Sequence, residues 1–290
     1  MAVENQTVKR TTEGVMYALL IAWAAITLVP FVYLLCSAVK TKAAFFSSHF
    51  LPWGDGWLGI DWQGFTLDHF VVLFTDPSLG FARAVLNSVF YASMISVLAT
   101  LCAAMGGYAL AKFAFRANRL LTALVLASLI VPGPLLLAPG YQLIYRLGLL
   151  DSFAGLILPG MAPAFGVFLF RQAMLNSVPL DVMEAARIDG CNEIRLFFVV
   201  ILPLVKPMVG AFLLITFMGA WNNFIQPQII LQTPEKFPLA VAIAQLKGLY
   251  GTDYGLLTAG TLVSIAPVMG LFLLLQKDFV SGLTSGAIKG

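Results

Sequence analysis

Charge is scarce in this chain. Asp, Glu, Lys and Arg make up 11% of the 290 residues, less than half of the roughly 25% usual in a soluble domain. Hydrophobic residues make up 60%, and the mean hydropathy is +0.90. A water-soluble fold could not hide that much apolar surface, so lipid is the expected solvent for most of the chain. The net charge of +3 is small and no block of Lys or Arg occurs, which excludes nucleic acid as a partner. Cysteine is nearly absent: Cys36, Cys102 and Cys191 have no metal or redox spacing. They fall at different depths of the spans described below and read as small packing residues, with no disulfide expected. Histidine is rarer still. His49 and His69 have no second ligand at metal spacing, and no Ser/His/Asp grouping occurs, so neither a metal site nor an enzyme is expected. The phosphate-binding pattern G-x-x-x-x-G-K-[ST] is missing too, so the chain has no visible means of binding ATP in that way.

What the sequence does have is long apolar runs. About 20 apolar residues cross a bilayer as a helix. Six segments meet or approach that length: Val15–Val39, Leu86–Ala111, Leu120–Tyr145, Phe153–Phe170, Pro207–Leu231 and Leu256–Gln276. The fold class expected is therefore all-α, a polytopic membrane protein of about six transmembrane helices. None of the six holds Asp, Glu, Lys, Arg or His. Proton-coupled transport usually needs such groups within the membrane, so it is disfavoured. Sodium sites built from carbonyls and hydroxyls leave a sodium-coupled carrier open as an alternative. The third segment carries Pro132, Gly133, Pro134, Pro139 and Gly140 and is expected to break there. Pro227 and Pro267 are expected to kink the fifth and sixth. Lys9 and Arg10 precede the first segment as they would in a signal peptide. Its 25 uncharged residues are too many, however, and the expectation is an uncleaved anchor.

Orientation follows from the basic residues of the connections. With the N-terminus inside, eleven fall inside: Lys9, Arg10, Lys112, Arg116, Arg119, Arg171, Arg187, Arg195, Lys206, Lys277 and Lys289. Six fall outside: Lys40, Lys42, Arg83, Arg146, Lys236 and Lys247. Both termini are then cytoplasmic, residues 1–14 form a cytoplasmic N-terminus and residues 277–290 a cytoplasmic tail. The rest is a single transmembrane domain, residues 15–290, with an external loop over residues 40–83. That loop carries Trp53, Trp57 and Trp62, which suit a membrane–water interface.

The charge that does exist is concentrated. Residues 171–206 hold Arg171, Asp181, Glu184, Arg187, Asp189, Glu193, Arg195 and Lys206, between two apolar runs and on the cytoplasmic side. The stretch has helix grammar. Pro179 suits a first helical position and Asp181 the first turn, where a negative charge favours the dipole. Gly190 can end the helix in the left-handed conformation, and Asn192 can cap a second helix that re-enters the membrane near Lys206–Pro207. Glu184 offers one charge to a partner, and Ala185 and Ala186 allow close approach. By chemistry alone, a solvated loop helix is the competing reading.

The pattern Glu184-Ala185-Ala186, Gly190, Ile201-Leu202-Pro203 resembles the EAA motif of the permease subunits of bacterial ABC importers. Further similarity runs from about Phe65 to Gly290. It includes residues 86–115, "AWNNFIQPQIIL" at 220–231, and the tail ending "GLTSGAIKG", which resembles the shorter permease of the maltose-type carbohydrate branch. The resemblance implies that Glu184, Ala185, Ala186, Asp189, Gly190, Leu202 and Pro203 belong to a coupling helix seated on an ATPase subunit. It implies two ATPase subunits that carry the ATP and magnesium, with no cofactor on this chain. It also implies an extracytoplasmic sugar-binding protein and a second permease, non-identical given the short N-terminal tail and the match to the shorter permease. The location implied is the bacterial plasma (inner) membrane, and the cargo a sugar moved by alternating access; a polyol or glycerol phosphate is the alternative cargo. Polar residues in the spans are the candidates for a substrate path: Trp221, Asn222 and Asn223 in the fifth, Asn87 in the second and Gln142 in the third. Hydrogen bonding between helices is the competing role for each.

Overall fold

The computed structural model describes residues 2–248 and 251–284. The end of the tail, residues 285–290, lies outside them. Two compact units arise, Met1–Asp76 with Gln245–Val263 and Pro77–Ala244 with Ser264–Gly290.

The first unit starts with α1 (Ala2–Ala38). Its apolar part, Thr12–Ala38, is 27 residues long. At about 1.5 Å per residue that makes roughly 40 Å, enough to cross a hydrocarbon core of about 30 Å. Short helices follow, α2 (Lys42–Ser47) and α3 (Asp68–Thr75). Lys40 holds this region together. Its side chain is buried, and the ammonium donates to the carbonyls of Ser48 at 2.7 Å and His49 at 3.1 Å. Burial away from water pulls its pKa down. The carbonyl of Lys40 in turn pairs with His69 Nε2 at 2.9 Å, so that histidine has a structural partner. Trp53, Trp57 and Trp62 are all exposed, as interfacial residues would be.

The second unit is built around α4 (Phe81–Lys112). Its inward face is made of small residues: Ala92, Ser96, Ala99, Ala103 and Gly107 are all buried. They recur every three or four positions, so they form one stripe against which other helices pack closely. The third segment breaks where its prolines and glycines foretold. α5 (Asn118–Ser128) is bent by 102° from the limb Gly133–Arg146, a 3₁₀ turn at Gly133–Leu136 that runs into α6 (Leu137–Arg146).

The fourth segment forms one apolar stretch, Phe153–Ser177, long enough to cross a membrane but interrupted within; the fifth departs from expectation. The fourth is two helices, α7 (Phe153–Gly160) and α8 (Ala164–Ser177). Pro163 separates them, because it lacks an N–H and would clash with the carbonyl of Pro159. α9 (Leu180–Ile188) follows, then α10 (Glu193–Arg195), a π-helical stretch over Leu196–Ile201 and α11 (Leu202–Leu204). An 85° bend at Val205 leads into α12 (Lys206–Trp221). α12 ends at Trp221 and a separate α13 (Ile225–Ile230) succeeds it, so Asn222 and Asn223 do not lie mid-helix. The reason is Pro227. A proline ring clashes with the carbonyl four residues back, here Asn223, and leaves it without its helical donor. The prolines thus break the chain further upstream than a kink at their own positions would. α14 (Leu239–Gln245) and α15 (Tyr254–Thr284) complete the chain, with Pro267 inside α15. The strands among the described residues are two short ones, Lys247–Gly248 and Gly251–Thr252.

Four helices among the described residues are long and apolar enough to cross a membrane, or six if each bent pair is one span.

Candidate functional site

The charged loop is an ordered structure. α9 begins at Leu180; Pro179 caps it from outside (φ −66°, ψ 145°) and is not its first position. Asp181 lies in the first turn and Arg187 in the last, each favourable to the dipole. Gly190 ends the helix with φ +82°. A Cβ there would meet nothing within 4 Å, so the backbone angle alone is what calls for glycine. The amide of Cys191 closes the turn by donating to Ala186 O at 3.0 Å. Asn192 then caps the next helix, its Oδ1 accepting from Arg195 N at 2.9 Å.

One side of α9 is anchored. Met183 is buried in a core with Leu196, Phe197, Ile201 and Val205, together with Tyr108 and Ala104 of α4 and Phe170 and Met174 of α8. Lys112, at the end of α4, donates to Val178 O at 2.6 Å. Arg187 Nε pairs with Glu193 Oε1 at 2.8 Å, and the Tyr108 hydroxyl donates to Glu193 Oε2 at 2.9 Å. The guanidinium of Arg187 holds the Glu193 carboxyl below the ordinary range, and the Tyr108 hydrogen bond acts the same way. The other side of α9 is bare. Leu180, Glu184 and Ile188, four residues apart and so on one face, are all exposed, as is Ala185. Asp189, Gly190 and Pro203 are exposed as well, while Ala186 and Leu202 are half-buried.

The candidates for a substrate path scatter. Trp221 is buried, and its Nε1 donates to Ser264 O at 3.1 Å, a helix-to-helix tie. Asn87 donates to Glu235 O at 2.9 Å and Phe237 O at 3.1 Å, fastening a loop. Asn222 and Gln142 are exposed, and neither lines the cavities of this unit. Asn223 does line one. This cavity of about 230 Å³ lies among α4, α7 and α12, with Tyr91, Thr216 and Gln226 as its other polar side chains. Asn223 Nδ2 donates to Gln226 Oε1 at 2.9 Å, and its side chain neighbours the Tyr91 phenol. Gln226, one turn beyond Asn223 in the sequence, was among the polar residues of the fifth segment; Tyr91 and Thr216 were not anticipated. Their signal was available, since each is a polar residue in or beside an apolar run.

The family profile described as binding-protein-dependent transport system inner membrane component matches residues 95–277. The chain belongs to this family. It is a multi-pass membrane permease of an ABC importer. Among curated relatives, the arabinooligosaccharide transport system permease AraQ of Halalkalibacterium halodurans is 38% identical over 225 residues, covering 78% of this chain and 80% of that one. The diacetylchitobiose uptake permease NgcG of Streptomyces coelicolor is 33% identical over 285 residues, covering 97% of this chain and 90% of that one. A crystal structure of a bacterial ABC transporter that imports alginate superposes with a TM-score of 0.78 at 24% identity, covering 93% of this chain and 97% of that one. That likeness establishes the fold. The end of α4 at Lys112 touches the charged loop, whereas its start at Asn87 touches the loop after α13.

Proposed function

We propose that this permease moves an oligosaccharide inward, paired with a second, non-identical permease, two ATPase subunits and an extracytoplasmic binding protein. The observation that carries the docking part is the bare face of α9. Leu180 and Ile188 are large apolar side chains exposed on a helix beside the charged loop, and Glu184 lies between them. An exposed apolar pair around one charge is a surface for a protein partner. α9 is the coupling helix, and Glu184, Ala185, Ala186, Asp189 and Gly190 form or shape its contact with the ATPase. Leu202 and Pro203 belong to the segment that carries its motion toward α12. ATP and magnesium are held by the ATPase subunits. Their closure drives the permease pair between inward- and outward-facing states. The sugar class is supported by the two relatives, whose names specify an arabinooligosaccharide and diacetylchitobiose. Amide and hydroxyl groups around the cavity suit a hydroxylated cargo.

Both termini lie in the cytoplasm, as does Cys191. With Cys36 and Cys102 replaced by serine, an impermeant thiol reagent is expected to label Cys191 from the cytoplasmic side only; labelling from outside inverts the topology. The docking role is tested by affinity purification. Wild type should bring down an ATPase, and Glu184→Lys should reach the membrane but lose most of it. Unchanged association overturns the role of Glu184. Oligosaccharide uptake in vesicles should require ATP and survive an ionophore, and a sodium-driven carrier would fail that test.

A further inference from the structure

The Gly190 turn separates α9 from the Glu193–Leu204 segment. Four residues, Asp189 to Asn192, lie between the two helices, and a Cβ on Gly190 would meet nothing within 4 Å. The Cys191 amide closes the turn on Ala186 O, and Met183 packs in one core with Leu196, Phe197 and Ile201, so the two arms are held together on their buried side. Their solvent side needs a tie of its own if pushing on α9 is to move the membrane helices as one body.

The group in position to provide it is Glu193. Its two carboxylate oxygens are used separately. Oε1 takes Arg187 Nε, from the last turn of α9 before the hinge. Oε2 takes the hydroxyl of Tyr108, from the last turns of α4. Glu193 itself opens α10, after the hinge. One carboxylate therefore joins three bodies: the docking helix, the segment leading into α12, and the end of α4. The bond to Tyr108 is anchored in packed core, since the ring is buried against Phe113 and Phe197. The Arg187 side chain is 41% exposed and that of Glu193 46%. An exposed ion pair of this kind adds little to stability, so its value here lies in geometry.

We propose that Glu193 is a positioning residue for coupling: it locks the hinge at Gly190 so that movement of α9 is delivered to α4 and α12. The proposal rests on α9 being the ATPase-docking helix. Glu193 touches neither cargo nor nucleotide; it acts through Arg187 and Tyr108. Without it, α9 can stay in its cleft and swing about Gly190, so that ATP is hydrolysed with less cargo moved.

The test uses the assembled importer in proteoliposomes, with its binding protein and an oligosaccharide that wild type transports. Cargo moved per ATP hydrolysed is the readout. Glu193→Ala should keep the ATPase associated and hydrolysing while that ratio falls about fivefold or more, in line with residues coupled as a unit. Arg187→Glu should lower it similarly, and Tyr108→Phe by less. The exchanged pair, Arg187→Glu with Glu193→Arg, should recover part of the ratio, which a loss of folding would not do. A normal ratio in Glu193→Ala overturns the proposal. So does loss of the ATPase from that variant, which would place Glu193 in the docking contact itself. If wild type binds no ATPase at all, the docking reading fails first, and the hinge lock falls with it.

Discussion

Lys236 reaches Asp151 twice: its ammonium donates to the carboxylate Oδ2 at 2.7 Å and to the backbone carbonyl at 2.6 Å. Asp151 also accepts from the amides of Gln232 at 2.9 Å and Thr233 at 3.0 Å, and from the Thr233 hydroxyl. It does so with φ +52°, a left-handed conformation that aspartate tolerates better than most residues. The turn between α6 and α7 is thereby tied to the loop after α13. That same loop is held from the other side by Asn87, while Ser88 Oγ accepts from Leu239 N at 2.6 Å. The result is a fixed frame at one end of the bundle.

Removing the charge while keeping the backbone angle separates the two roles of Asp151. Asn also accepts the left-handed conformation, so Asp151→Asn should fold but unfold a few degrees lower in detergent at pH 7. Lys236→Met should do the same. The Lys236 hydrogen bond, then that of Thr233, holds the Asp151 carboxyl far below the usual carboxylate range. A depressed folded pKa adds stability that is complete above the unfolded value of about 4 and is lost as pH falls through the folded one. The gap between wild type and Asp151→Asn should therefore stay constant from pH 8 to 5 and narrow only in strong acid. A gap that closes already at pH 6 would show that another group carries it.

Trp221 and Asn223 stand two residues apart and call for opposite results. Trp221→Phe loses one buried hydrogen bond to Ser264 O, a cost of about 1 kcal/mol, and should lower the unfolding midpoint without altering cargo preference. Asn223→Ala and Thr216→Val alter the lining of the cavity. They should raise the half-saturating cargo concentration several-fold and shift the preference among oligosaccharides, with the amount of protein in the membrane unchanged. Uptake assays over a cargo series check this. If the preference of Asn223→Ala matches wild type, the path does not run past this cavity.

The loop was legible because its grammar is local. Gly190 and Asn192 announce a helix end and a cap within a few residues, and both occur as read; Pro179 was misplaced by one position. The break after Trp221 was readable in principle, since Pro227 acts four residues upstream of itself. Treating the proline as a kink at its own site hid it. The Tyr108–Glu193 bond was not readable, because the residues are 85 apart and each looks ordinary alone. Asp151 gave no signal either. A non-glycine residue at positive φ is chosen by the hydrogen bonds around it, and those come from a loop some 80 positions away.

The close approach of α4 to α8 at Gly107 gives a prediction that depends on space alone. A Cβ on Gly107 would stand 2.6 Å from Phe170 Cβ and 2.7 Å from the Arg171 backbone nitrogen. Neither neighbour can rotate away, since one is a Cβ and the other main chain, so α4 and α8 would have to separate. Gly107→Ala should cost about 1–3 kcal/mol by overpacking, and Gly107→Leu should prevent a stable bundle. Gly106 is the milder neighbour. Its Cβ would lie 3.2 Å from Val167 Cγ2, a side-chain atom that can shift, so Gly106→Ala should be close to neutral. Gly140 in α6 is the control, with nothing within 4 Å. Replacing it by alanine should stabilise the helix by up to about 1 kcal/mol, because glycine loses more backbone freedom on folding. Thermal unfolding of the three alanine variants in one detergent should rank Gly140 above wild type, Gly106 near it and Gly107 below. If Gly107→Ala matches wild type, α4 and α8 do not meet this closely in the assembled importer.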